Sequence, residues 1–197
     1  MTDAVPPLPR RPSDRVTTAW ALAARGGDPH AVGRLVRALH RDVLRYVCFL
    51  GADPQNADDL AQETFLRALD GLRRFQGRSS ARTWLLSIAR RTVIDSMRYA
   101  SSRPRVSGTP DWETAAERAQ PHGLPGFDDG VVLGELLNTL PDDRREAFVL
   151  PQMLGFSYAE AATVCACPVG TVRSRVARAR TSLVRALAGA EPVAAAA

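Results

Sequence analysis

The residues best suited to chemistry in this sequence form two sets of opposite charge. Near the C-terminus, Arg173, Arg175, Arg178, Arg180 and Arg185 follow one another at short intervals with no acidic residue among them. A guanidinium group presents a planar fork of donors that matches phosphate oxygens and the O6/N7 edge of guanine. Much earlier, Asp58, Asp59 and Glu63 sit within little more than one helical turn. Such carboxylates could ligate a divalent cation, move protons or orient a protein partner by charge. A solvated helix face is the plainest reading, and the residues themselves do not rank docking above it. No phosphate-cradling glycine loop, zinc motif, or serine or cysteine nucleophile with a placed histidine accompanies them, so an enzyme is not expected.

The C-terminal arginines need an element that aims them. Ser157 is a candidate N-cap, and Glu160 three residues later completes a capping box, so a short helix should run to about Val164. Pro168 suits the first turn of a second helix, which leaves Cys165-Ala166-Cys167 as the turn. Val169, Val172, Val176, Ala179, Leu183 and Leu187 then recur at three- and four-residue steps and form one apolar stripe, with the arginines mainly outside it. Two short helices, a tight turn and a basic second helix make a helix-turn-helix reader of duplex DNA. A third region, Phe75 to Arg98, combines Arg78, Arg82, Arg90, Arg91 and Arg98 with small hydroxylated residues and two aromatics. Such a surface suits single-stranded nucleic acid, whose bases stack while arginines follow the backbone. Trp84, spaced with Ile88, is expected in the core; Phe75 is placed in neither role by spacing alone.

The 197 residues carry a formal charge of +5, with every basic side chain an arginine, and the 45% apolar content supports real cores. Three cysteines, Cys48, Cys165 and Cys167, are too few for a disulfide framework, and scattered His30, His40 and His122 do not complete a metal site. No cofactor or metal is expected. Neither a membrane-spanning run nor a signal segment is visible, which leads us to expect a cytoplasmic protein without a membrane partner. Helical periodicity divides the chain into two all-α modules. We expect a disordered tail over 1–15, a first helical domain over 16–100, a flexible linker over 101–127 rich in proline and glycine, a second helical domain over 128–187, and a disordered tail over 188–197.

Taken in order, the stretches Ala57-Asp58-Asp59-Leu60-Ala61-Gln62-Glu63-Thr64-Phe65-Leu66-Arg67-Ala68, Ala81-Arg82-Thr83-Trp84-Leu85 and Cys167-Pro168-Val169-Gly170-Thr171-Val172-Arg173-Ser174-Arg175 resemble the extracytoplasmic-function (ECF) sigma factors of bacterial RNA polymerase. The resemblance implies a subunit that binds core polymerase and directs promoter-specific initiation. It assigns Asp58, Asp59, Gln62 and Glu63 to the clamp helices of the largest polymerase subunit. It assigns Phe75, Arg78, Ser79, Ser80, Thr83, Ile88, Arg90, Arg91 and Arg98 to recognition and melting of the −10 element, with a non-template base in a pocket. Arg173, Ser174, Arg175 and Arg178 would read the −35 element in the major groove, with Thr171 near phosphate. The implied partners are core polymerase and promoter DNA, duplex and single-stranded. An anti-sigma factor covering these faces is a further partner that the resemblance admits and the sequence does not specify. Departures from the family pattern are Ala166 for a usual turn glycine, Arg91 for a frequent asparagine, and Asn56 for a frequent acid. The alternative is a stand-alone helix-turn-helix regulator whose residues 16–99 form a sensing domain.

Overall fold

Short polar signals decide where each helix starts and stops. In the computed structural model, which describes residues 12–51, 54–102 and 127–189, Ser13 caps α1 (Asp14–Arg25) by accepting from the Val16 amide, and Gly26-Gly27 ends it. Asp28 then accepts from the His30 and Ala31 amides at 2.9 and 3.2 Å, with Pro29 in the first turn, and starts α2 (Pro29–Phe49). After α3 (Pro54–Leu72), the Ser80 hydroxyl accepts from the Thr83 amide at 3.0 Å and opens α4 (Ala81–Ser102). The second half contains α5 (Phe127–Asn138), α6 (Asp142–Gln152), α7 (Tyr158–Cys165) and α8 (Val169–Gly189). The described residues are all helix and connection, with no strand, as the periodicity predicts.

Helix α1 begins inside the stretch expected as a tail, and α4 runs two residues into the expected linker. Helix α5 takes in the last residue of that linker, Phe127; residues 103–126, and the outer parts of both expected tails, lie outside the described residues. None of the described helices is long and apolar enough to cross a membrane.

Each helix buries one stripe. Leu35, Leu39, Val43 and Val47 on α2 meet Ala61, Phe65 and Leu72 of α3 and Leu85, Leu86, Ala89 and Val93 of α4. Complete burial of such a side chain contributes about 1.5–3 kcal/mol. In the second half Ala147, Val149 and Leu150 of α6 and Val164 of α7 enclose Val172, Val176 and Ala179 of α8.

The two halves lie against each other, α4 on α7 and α2 on α6, and their apolar residues form one continuous cluster. Polar groups stitch this seam. The Tyr46 hydroxyl donates to Glu146 Oε1 at 2.7 Å, and Arg90 Nε donates to the same oxygen at 2.7 Å. Arg82, only 3% exposed, donates from Nε to Asp42 at 2.6 Å and from Nη2 to the Leu154 carbonyl at 2.7 Å. Its guanidinium carbon lies 4.0 Å from the Phe156 ring centroid, in cation–π contact. Gly51, at φ +87°, closes α2, and a β-carbon there would fall 3.1 Å from Arg145 Nη2, which reaches across to the Leu50 carbonyl.

Candidate nucleic-acid interface

Helix α3 is two-faced for a simple reason of period. Ala57, Ala61, Thr64, Phe65 and Ala68 point into the core, so Asp58, Asp59 and Gln62 are exposed and Glu63 half-exposed on the opposite side. Glu63 accepts from Arg67 at 2.7 Å one turn on, and Arg67 also donates to Asp95 of α4 at 2.8 Å. These pairs are open to solvent and individually weak. The carboxylates expected to dock on a partner are therefore gathered on one accessible face. Among the described residues no group of three or more histidine, cysteine or acidic side chains is placed to hold a metal ion.

The loop between α3 and α4 is held from three directions. Arg25 donates to the Phe75 carbonyl at 3.1 Å, the Ala81 amide donates to the Thr18 hydroxyl at 2.9 Å, and the Ser80 and Thr83 hydroxyls share a 2.8 Å hydrogen bond. Phe75 is buried and its ring meets Trp84 at a 4.8 Å centroid distance and 41° tilt. Trp84, expected in the core, is half-buried, because Phe75 covers one side of it while the other borders open recesses. Arg78 is exposed and Ser79 half-exposed at one recess, while Ile88 and Arg91 border the other. Thr83 is buried and Arg98 lies exposed farther along α4. Arg90 stands apart from this set: its side chain faces Glu146 across the seam. Burial works against its charged form, but the neighbouring carboxylate outweighs it and raises the pKa. Tyr46 is held neutral, its pKa pushed well up by burial first and by Glu146 second.

The helix-turn-helix forms as the residues dictate. Ser157 accepts from the Glu160 amide at 3.2 Å, and Glu160 accepts from the Ser157 amide at 3.0 Å, closing the capping box. The turn follows through Ala166, at φ 53° and ψ 44°, with the Cys167 amide bonded to the Ala162 carbonyl at 3.1 Å and the Ala166 amide to Thr163 at 3.4 Å. Buried Cys165 has a raised thiol pKa, chiefly through burial and then the Glu146 charge. On α8, Arg173, Ser174 and Arg178 are exposed and Thr171 is half-buried. Arg175 turns back to pair with Asp143 of α6 at 3.1 Å and to donate to Cys167 Sγ at 3.7 Å.

Periodicity alone missed the residues of the seam. Arg82 shares the stripe of Leu85, Leu86, Ala89 and Val93, and Glu146 the stripe of Ala147, Val149 and Leu150. A charge on a buried stripe was the available signal. Arg67 and Arg74, which border the recesses, carried no comparable mark.

The described residues thus combine an acidic face, a basic aromatic loop and a helix-turn-helix on one all-helical chain. Residues 35–103 match Sigma-70 region 2, and residues 131–183 match Sigma-70, region 4. The chain is 49% identical over 181 residues to the ECF RNA polymerase sigma factor SigC of Mycobacterium tuberculosis, covering 91% of this chain and 94% of that one. It is 34% identical to the RNA polymerase sigma-H factor of Pseudomonas aeruginosa, covering 82% and 88%. Among solved structures it is similar to CnrH in complex with the cytosolic domain of CnrY, with a TM-score of 0.66, 27% identity and coverage of 91% and 99%. It is also similar to the sigma factor RpoE in complex with the anti-sigma factor NepR from Bartonella quintana, with a TM-score of 0.59, 30% identity and coverage of 77% and 93%. The chain belongs to the ECF sigma factors, which direct RNA polymerase to specific promoters. The stand-alone regulator is not favoured.

Proposed function

We propose that the outer face of α3 docks this chain on the clamp helices of the largest polymerase subunit through Asp58, Asp59, Gln62 and Glu63. What supports this is the exposure of those side chains on a helix whose other face is fully committed to the core. The loop from Phe75 and the outer side of α4 take the −10 element, and Arg173, Ser174, Arg175 and Arg178, with Thr171, take the −35 element. Melting proceeds by capture of unstacked bases, which offsets unpairing of a few kcal/mol, and the chain performs no bond chemistry itself.

Reading both elements requires the two halves to part. Sites 25 base pairs apart lie about 85 Å apart at 3.4 Å per pair. A packed chain of this length has a radius of gyration of only about 16 Å. The stretch 103–126 has a contour length of about 80 Å, so separated halves can reach both sites once polymerase holds them. Two weak contacts then act as one bivalent contact. Arg90, engaged with Glu146 in the packed arrangement, becomes available to the −10 element only after this parting. RpoE is held in complex with the anti-sigma factor NepR, and CnrH with the cytosolic domain of CnrY; the first of these supports an anti-sigma factor for this chain. Its place of action is the cytoplasm.

The assignment of α3 is tested by reversing charge at Asp59 and Glu63 and measuring association with purified core polymerase. Association should weaken while the isolated −35 duplex binds as before. Unchanged core affinity would remove the assignment.

A further inference from the structure

Two recesses adjoin Trp84, and only one is needed for a single captured base. The smaller, of about 290 Å³, is bordered by Phe75, Arg78 and Ser79. The larger, of about 400 Å³, opens between α3 and α4 and is bordered by Arg67, Ile88, Arg91 and Asp95. Arg74 and Trp84 border both. The larger volume lies within the range of about 300–1,000 Å³ usual for small-molecule sites. Its wall combines an aromatic ring, an aliphatic side chain, three guanidinium groups and one carboxylate, so it stays cationic. Gly71 also borders it and contributes no side chain; a β-carbon there would lie 3.4 Å from Trp84 Cζ2.

We propose that the larger recess is a second nucleotide subsite, which takes the neighbour of the base held beside Phe75 and Ser79. The proposal rests on the −10 reading above. The two recesses meet at the same indole and the same arginine, so adjacent nucleotides of one strand can occupy them with Arg74 on the phosphate that joins them. Trp84 supplies an apolar wall for either base. Asp95, held by Arg67 at 2.8 Å in the empty site, adds an acceptor among donors. A carboxylate accepts from exocyclic amines such as those of cytosine and adenine. Thymine has no exocyclic amine and only its ring N3–H to donate, flanked by two carbonyl oxygens that the carboxylate repels, so the second subsite disfavours thymine and Asp95 is a specificity-determining residue.

The experiment uses the full chain assembled with core polymerase and single-stranded non-template oligonucleotides in which one position at a time is made abasic. Two adjacent positions should each lose about tenfold in affinity, the scale of one stacked base. Gly71→Leu, which fills the larger recess and removes no charge, should abolish the penalty at one of the two and leave the other. Asp95→Asn should narrow the preference against thymine at that same position. A single sensitive position, or two that are not adjacent, would overturn the second subsite and leave the −10 reading intact. Equal loss at both positions in Gly71→Leu would likewise overturn it. If no abasic position costs affinity while the holoenzyme still initiates, the −10 reading itself fails.

Discussion

Arginine has two fates in this molecule, buried and partnered at the seam, exposed on the outer face of α8. At the seam, Arg82 is 3% exposed and engages Asp42, the Leu154 carbonyl and the Phe156 ring. On α8, Arg173 and Arg178 stand exposed. Burying a charged group costs several kcal/mol, which good partners largely offset without much surplus. The seam is therefore specific in geometry and modest in net strength, as the proposed parting of the two halves on polymerase requires. The exposed arginines carry no such desolvation cost until DNA arrives. Arg175 lies between these extremes, tethered to Asp143 at 3.1 Å with both side chains partly open to water.

The sharpest way to break the contrast is at Arg82. Arg82→Ala removes a donor from Asp42 and from the Leu154 carbonyl, and the packed arrangement should lose about 3–5 kcal/mol. Denaturant titration should record the loss, and small-angle X-ray scattering should record expansion. Glu146→Gln keeps an acceptor for Tyr46 but loses the charge that faces Arg90, so its effect should be smaller, about 1.5–3 kcal/mol by the same titration. At the other pole, Arg173→Ala should weaken −35 duplex binding about tenfold and shift stability by less than about 0.5 kcal/mol. Equal losses of stability in Arg82→Ala and Arg173→Ala would erase the distinction. The smallest expected effect is at the turn that aims α8. Ala166 holds a left-handed conformation at φ 53°, so Ala166→Gly should gain about 1 kcal/mol, read as a raised Tm.

The local architecture was legible because it rests on near neighbours in sequence. The capping box of Ser157 and Glu160, the turn at Cys165-Ala166-Cys167 and the outward acids of α3 all follow from caps and a 3.6-residue period. The seam joins residues such as Tyr46 and Glu146, 100 positions apart, and no local pattern sets such a pairing. Arg90 illustrates the result: periodicity allowed it beside Arg91, while long-range packing turned it toward Glu146. Trp84 was half legible, since its spacing with Ile88 points inward but Phe75 fills that side first.

The two-point account is tested most directly by start-site mapping in run-off transcription with purified core polymerase and this chain, on promoters whose −35 and −10 elements are set at varied separations. Specific starts should require the chain, occur at one narrow range of separations, and fall away when about half a helical turn is inserted. Transcription insensitive to separation, or duplex binding by the chain alone without any initiation, would contradict it.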